Sequence, residues 1–351
     1  MPVSVPRANS KGAAVHDAAD EPRLDGREGG GAPGARPARA SRMRMLITFH
    51  ASECTDSFAA GLQHAGLPLR ADVLVLPVAE QWFSGLDAGA GLSLTAQSEC
   101  AQAASTQARK VQAQLAAAFP EWSIVAEAAT GSLVDNAIRR GGEWNAGLIV
   151  LGPVGKPAWG RSPIGPIARK IANEAACSVR VYRDKPPSKN GGARILIAYD
   201  GQPGSELAVK AVLERNWPAD TQAVLLTSVG FGYSPVAGFS LVVDYARARA
   251  VQAHAETMLR NAGMEVLPVV HESDPNTGIA DVADAFDVDC IFIGHNDRHI
   301  LYRVFVGTVA SSLISRARCS VEIVRAGPRA TEDAEPDRPL HARTERARHT
   351  V

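Results

Sequence analysis

The chain has 351 residues, of which 46% are hydrophobic, and this is enough for about two domains with sizeable cores. Its 37 basic residues equal its 37 acidic residues in number, so the formal net charge is zero. Nucleic-acid binders and membrane-surface binders normally carry a basic excess, and the balance therefore argues against both classes.

The cysteines and the hydropathy pattern favour a cytoplasmic protein. The chain has 5 cysteines, an odd number, and none forms a Cys-x-x-Cys pair, so we expect free thiols in a reducing compartment. No apolar stretch approaches the length of a transmembrane helix, and the first residues lack the apolar core of a secretory signal. We therefore expect neither a membrane nor a nucleic acid as a partner.

Both ends of the chain are predicted to be disordered. Residues 1–43 are rich in Gly, Pro, Ala, Arg and acids and show no apolar periodicity. Met43 and Met45 stand beside the first predicted strand, so we expect translation to start at one of them. The tail 327–351 is charged and contains proline, and it is predicted to be disordered as well.

The residues between these ends predict the same succession of elements twice. Each half begins with a buried strand, a polar turn and an amphipathic helix, and strands and helices then alternate to a last strand. The paired segments, first half then second, are 44–65 and 194–215, 71–82 and 221–232, 96–119 and 241–262, 124–128 and 265–270, 132–140 and 277–286, and 148–151 and 290–293.

The clearest repeat is the last block of each half. Residues 152–183 align on 294–325 without a gap and are identical at nine positions, including the run Cys-Ser-Val. Strands that alternate with helices indicate βαβ units. We predict an α/β fold with two tandem domains, 44–183 and 194–326, each an open, mostly parallel five-stranded sheet with helices on both faces. The Pro-, Gly- and Lys-rich segment 184–193 is predicted to link them.

Three sequence features together resemble the universal stress protein family in its tandem form. They are the strand ending in aspartate in "ILIAYDGQPGSE", a Gly-x2-Gly-x9-Gly-(Ser/Thr) loop after the fourth strand, and the closing strands "CSVRV" and "CSVEI". The resemblance implies a regulatory role in stress response and ATP, with Mg, held at the carboxyl ends of the strands. It implies no enzymatic activity beyond weak ATP hydrolysis.

The second half keeps most positions that the resemblance assigns to the nucleotide. Its aspartate is expected to accept a hydrogen bond from the adenine amino group, and its glycines to let the backbone approach phosphate at a helix N-terminus. The carried-over residues are Asp200, Val229, Gly294, Gly307, Thr308 and Val309. The second loop glycine is replaced by Asp297, whose carboxylate opposes a phosphate.

The first half departs from the pattern at other positions. Its loop glycines, Gly152, Gly155 and Gly165, are all present. His50 stands in place of the aspartate, and Pro166 stands in place of the Ser/Thr. Proline removes an N–H donor as well as the hydroxyl, so the anion site is weakened although the helix can still begin there.

Several of these residues have a second interpretation. Asp200 is also a favourable residue to cap the turn that follows it, and spaced glycines also serve turns and close packing. Arg161 and Arg303 occupy the same place in the two loops, as phosphate ligands or as solvated arginines. The alternating His295, Asp297 and His299 lack a second ligand cluster, so we expect no metal site.

The sequence thus leaves two functions from different classes. One is a regulator that binds adenine nucleotide weakly, mainly in the second half. The alternative is a nucleotide-free scaffold that binds a regulatory protein partner. An adenylyltransferase or ATP pyrophosphatase is disfavoured, because "YDGQPGSE" and "IGHND" match neither signature loop. We expect the last strands, Ser178–Tyr182 and Ser320–Val324, to pair as an intrachain pseudo-dimer, with homodimerisation left open.

Overall fold

The structure is a computed structural model that describes residues 42–52, 57–80, 94–152, 164–185, 192–229, 245–295 and 307–326. The two segments predicted to be disordered lie outside these residues except for Arg42 and Met43, and so do residues 186–191 of the predicted linker. Met43 is the first residue of a strand, one position before the predicted start of the first domain.

Strands and helices alternate through both halves, as the sequence predicts. In the first half they are β1 (Met43–His50), α1 (Phe58–Gln63), β2 (Ala71–Ala79), α2 (Leu94–Ala118), β3 (Ser123–Ala126), β4 (Ala129–Thr130), α3 (Leu133–Glu143), β5 (Leu148–Leu151), α4 (Ile164–Glu174) and β6 (Ser178–Val181). In the second half they are β7 (Arg194–Ala198), α5 (Pro203–Leu213), β8 (Gln222–Val229), α6 (Tyr245–Asn261), β9 (Glu265–Glu272), α7 (Pro275–Ala285), β10 (Cys290–Gly294), α8 (Thr308–Arg316) and β11 (Ser320–Val324).

The described strands form one sheet that runs through both halves. Its order is β3-β2-β1-β5-β6-β11-β10-β7-β8-β9, with the short β4 paired to β2 beside this path. Neighbouring strands within each half are parallel, whereas β6 and β11 are antiparallel. The predicted fold class is confirmed, and each five-stranded sheet joins the other through its last strand.

Alternate residues of the strands pack on opposite faces of this sheet. On one face, a single core contacts α3 and α4 of the first half and α7 and α8 of the second. On the other face, one core packs under α1 and α2 and a separate core packs under α5 and α6. The two halves are therefore continuous on one face and leave a division on the other.

The junction of the halves matches the expected strand pairing. Val181 lies opposite Val321, and Val179 lies opposite Ile323. All four side chains are buried in the continuous core. The intrachain pairing of the last strands is confirmed, and it covers the edge that each half alone would expose.

Candidate functional site at the carboxyl ends of the strands

Three of the predicted site residues lie at one edge of the second-half sheet. In the register of the sheet, Ala198 at the end of β7 pairs with Leu226 of β8 on one side and with Ile293 of β10 on the other. Asp200, Val229 and Gly294 stand at or just beyond the carboxyl ends of these three neighbouring strands. In open α/β sheets, ligands bind in the crevice outside such ends.

Asp200 closes the turn that leads into α5. Its Oδ1 accepts hydrogen bonds from the backbone N–H of Gln202 at 3.0 Å and from the hydroxyl of Ser205 at 2.8 Å. Helix α5 then begins with Pro203 in its first turn, where a missing N–H costs nothing. Asp200 is exposed, and both of these hydrogen bonds use the same carboxylate oxygen. The turn-capping interpretation of Asp200 is therefore present in the structure.

Gly294 is required by close packing at the same edge. A Cβ at this position would lie 1.7 Å from the carbonyl oxygen of Gly204, near the start of α5. Any larger residue would force the strand end and the helix start apart. The packing interpretation of Gly294 accounts for this residue whether or not a ligand binds.

The N-cap residue of α8 is Gly307, which has no side chain that could cap the first backbone N–H groups. Among the described residues, no atom lies within 4 Å of where a Cβ of Gly307 would stand, and Thr308 is exposed. Val309 is half-buried against the continuous core, which anchors this first turn. Uncapped N–H groups at a helix N-terminus favour an anion.

A serine and a histidine, which the sequence did not single out, meet near this edge. His271 Nδ1 lies 2.8 Å from Ser273 Oγ, and Ser228 donates a hydrogen bond to the Ser273 carbonyl at 2.8 Å. Ser228 immediately precedes Val229 on β8. Ser273 Oγ fills the space that a Cβ of Gly278 would occupy, so this cluster fastens the end of β9 to α7.

The corresponding edge of the first half has a different polar pair. His50 is buried at the end of β1, and its Nδ1 lies 3.9 Å from Glu80 Oε2. Glu80 Oε1 accepts a hydrogen bond from the N–H of Leu133 at 2.8 Å, which caps the start of α3. Sequence reasoning did not identify Glu80 as a site residue. The one sequence feature that could have pointed to it is its position as a carboxylate directly after a buried strand.

The loop glycines of the first half have unequal surroundings. Gly152 has a φ of 141°, a conformation that favours glycine, and its N–H donates to the backbone carbonyl oxygen of Thr48 at 3.1 Å. Gly165 is inside α4, and Pro166 follows it in the first turn. Gly155 lies outside the described residues. So do Arg161, Asp297, His299 and Arg303.

The remaining candidates are structural. Cys177 and Cys319 are buried, and burial raises the pKa of the first thiol to about 11 and that of the second to about 12. Thiols in this state are poor nucleophiles at neutral pH. Within the described ranges, no three His, Cys, Asp or Glu side chains group to hold a metal ion. Over the same ranges, no helix is both long and apolar enough to cross a bilayer.

The sheet order defines a tandem α/β protein of the open-sheet class. The family model described as the universal stress protein family matches the chain twice, over residues 43–183 and 193–325. The chain therefore belongs to the universal stress protein family in tandem form, as its motifs indicated.

Three solved structures illustrate what the chain is similar to, and the first of them agrees with the assigned fold. A universal stress protein from Archaeoglobus fulgidus is 16% identical to the chain, with a TM-score of 0.56, and the match covers 81% of this chain and 96% of that one. A family protein from Burkholderia pseudomallei is 24% identical over 40% of this chain and 100% of its own, with a TM-score of 0.32. An Arabidopsis thaliana family protein with AMP bound is 15% identical over 38% of this chain and 90% of its own, with a TM-score of 0.28. No curated protein sequence matches the chain significantly.

Proposed function

We propose that this protein is a cytoplasmic, non-enzymatic regulator of stress response that binds ATP weakly, with Mg, mainly in its second half. One observation carries the proposal. The ends of three neighbouring strands bring Asp200, Val229 and Gly294 to one edge of the sheet, and α8 begins at Thr308 directly after Gly307, an N-cap without a side chain.

Each group has a role that suits an adenine nucleotide. The Asp200 Oδ2 takes no part in the turn hydrogen bonds and is the acceptor proposed for the adenine amino group. Val229 supplies apolar contact for the base. Gly294, which has no Cβ, lets the end of β10 lie close against the start of α5. The N–H groups and the Thr308 hydroxyl at the start of α8 are the donors proposed for phosphate.

Binding is expected to be weak because each half lacks part of the motif. A carboxylate at Asp297 adds repulsion of roughly 1 kcal/mol in water, and about 4 kcal/mol at an effective dielectric near 20, for unit charges about 4 Å apart. In the first half, His50 contacts Glu80 rather than presenting a carboxylate, and Pro166 has no N–H. The second half is therefore proposed as the main site.

Calorimetric titration with ATP and Mg tests the proposal, with Asp200→Asn as the decisive variant. The amide oxygen can keep the turn to Gln202 and Ser205, while an N–H group replaces the second carboxylate oxygen. We expect a loss of about tenfold in affinity, or roughly 1.4 kcal/mol, with an unchanged melting temperature. His50→Asn in the first half is the matched control and should leave ATP affinity unchanged. Wild-type protein that gives neither heat nor a thermal shift at millimolar ATP contradicts the proposal.

The second candidate function is a nucleotide-free scaffold for a regulatory protein partner. Its support is that Asp200 already caps a turn and Gly294 is already required by packing, so neither residue needs a ligand to account for it. Mass spectrometry of small molecules released from the purified protein separates the two functions. A copurified adenine nucleotide contradicts the scaffold function.

A further inference from the structure

Two equivalent residues of the repeat face each other where the halves join. The gapless alignment of the last blocks places Arg180 at the same position as Glu322, and the structure places Arg180 directly opposite Glu322 in the β6–β11 pair. We call this the axis position, because the local twofold relation between the strands passes through it. In a pair of two identical strands, the residue at the axis position would face its own copy.

The two axis residues are oppositely charged and fully buried. Both are 0% exposed, and they lie on the face of the sheet where the cores of the two halves are divided. Arg180 Nε donates to Glu322 Oε2 at 2.7 Å, and Arg180 Nη2 lies 2.6 Å from the same oxygen. The pair therefore stands at the one position of the interface where identical strands would bring like charges together.

Each axis residue is also supported by its own half at equivalent places. In the first half, Arg180 donates to the backbone carbonyl oxygens of Ala65 and Gly66. In the second half, Glu322 Oε1 accepts from Arg215 Nη2 at 2.5 Å. Ala65 and Arg215 end the matching segments 44–65 and 194–215 of the repeat. An arginine at the axis thus meets carbonyl oxygens, and a glutamate at the axis meets a guanidinium.

The consequence for strand pairing is unequal between the halves. Two copies of β6 would bury two guanidinium groups with only carbonyl oxygens as partners, and an unpaired buried charge is strongly unfavourable. Two copies of β11 would bring two carboxylates together, but each would retain its own Arg215. Pairing of a strand with its own copy is therefore more unfavourable for β6 than for β11.

We propose that Arg180 makes β6 selective for a partner strand with a carboxylate at the axis position. The first half then pairs with a second half, from its own chain or from a second copy of the chain, and not with another first half. Arg180 and Glu322 act here as specificity residues of the pairing surface, independently of any nucleotide.

The test uses the full chain in two charge-reversed forms, Arg180→Glu and Glu322→Arg. They are co-expressed with tags of different mass and analysed by native mass spectrometry. Each variant alone has like charges at its axis position, whereas an exchange of halves between the two variants places a carboxylate opposite an arginine at both junctions. We expect heterodimers in at least tenfold excess over either homodimer. Hetero- and homodimers in statistical proportion overturn the proposal, and so does either variant as a monomer that melts like the wild type.

A single chain with both substitutions keeps the proposal falsifiable if the separate variants fold poorly. Its axis again holds opposite charges. The recovery is expected to be partial, because a carboxylate now faces the carbonyl oxygens of Ala65 and Gly66 and the arginine at position 322 lies beside Arg215. Relative to the wild type, the less stable of the two single variants has the larger decrease in melting temperature. We expect the double variant to recover at least a third of that decrease, and no recovery contradicts the proposal. Glu143→Arg, the same charge reversal on an exposed helix position, is the matched control and should have the oligomeric state and melting temperature of the wild type.

Discussion

The first and second halves build the same sheet edge and carry different polar groups on it. In the first half, His50 contacts Glu80, and Glu80 caps α3. In the second half, Asp200 caps the turn into α5 through one oxygen and remains exposed. The two halves therefore share the backbone of this sheet edge, and their side chains decide which half has an exposed carboxylate there.

A second difference lies in the helices that cover the divided face. The buried residues of α2 and α6 follow the same spacing, and Ala108 of the first half corresponds to Gln252 of the second. The two N–H groups of Gln252 Nε2 are shared among three acceptors at 2.9 Å, the Leu225 carbonyl, the Thr227 hydroxyl and the Val269 carbonyl. The second half thus holds its helix with polar contacts where the first half uses apolar packing.

The largest expected effect comes from the axis position, where the halves differ in charge. Glu322→Gln leaves Arg180 and Arg215 buried without a counter-charge, because both contact the same carboxylate. We expect a loss of about 3–5 kcal/mol in the free energy of unfolding, measured by urea denaturation. Glu143→Gln, at an exposed ion pair of α3, is the control and should hardly move the urea midpoint. A similar midpoint for both variants would show that the axis pair adds nothing.

The same carboxylate predicts how stability depends on pH. Burial raises the pKa of Glu322, but Arg180 and Arg215 outweigh burial and hold the pKa below the ordinary value of 4.5. A carboxyl whose pKa is lower in the folded state contributes stability above its unfolded pKa and loses it as pH falls through the folded pKa. Wild-type stability should therefore fall below about pH 4.5 more steeply than that of Glu322→Gln. Urea titrations across this range compare the two slopes, and parallel slopes contradict the assignment.

The next effect tests the difference between the covering helices. Gln252→Ala gives α6 the residue that α2 has. It removes two N–H donors that serve three buried acceptors, and the side-chain oxygen that accepts from Arg249. At about 1 kcal/mol for each of these two donors and this acceptor, we expect a loss of about 3 kcal/mol in the free energy of unfolding. Gln112→Ala in α2 removes one partly buried bond to Ile124 and should cost about 1 kcal/mol. Equal losses would mean that the two helices are held alike.

Sequence periodicity was sufficient to predict the order of elements and the fold class. The strands are short apolar runs such as Leu148–Leu151, and the last strands could be matched because their blocks align without a gap. The contacts of Glu80 could not be predicted, because they depend on β1 and β2 lying side by side. The Arg215–Glu322 bond joins residues 107 positions apart, and the bond from Arg180 to Glu322 spans 142. The pairing of the last strands was predicted, but the register that places Arg180 opposite Glu322 was not, because local pattern does not encode register between distant strands.

The smallest expected effect concerns α8, whose N-terminus is the proposed phosphate site. Thr308→Pro gives α8 the residue that α4 has at Pro166, and proline is tolerated at the first helical position, where Thr308 stands after the N-cap Gly307. The change removes one N–H and one hydroxyl donor, so we expect ATP affinity in calorimetry to fall about tenfold with little change in melting temperature. Thr308→Ser retains both donors and should bind like the wild type. Unchanged affinity in Thr308→Pro would place the phosphates away from α8, and the difference between Pro166 and Thr308 would then have no bearing on which half binds the nucleotide.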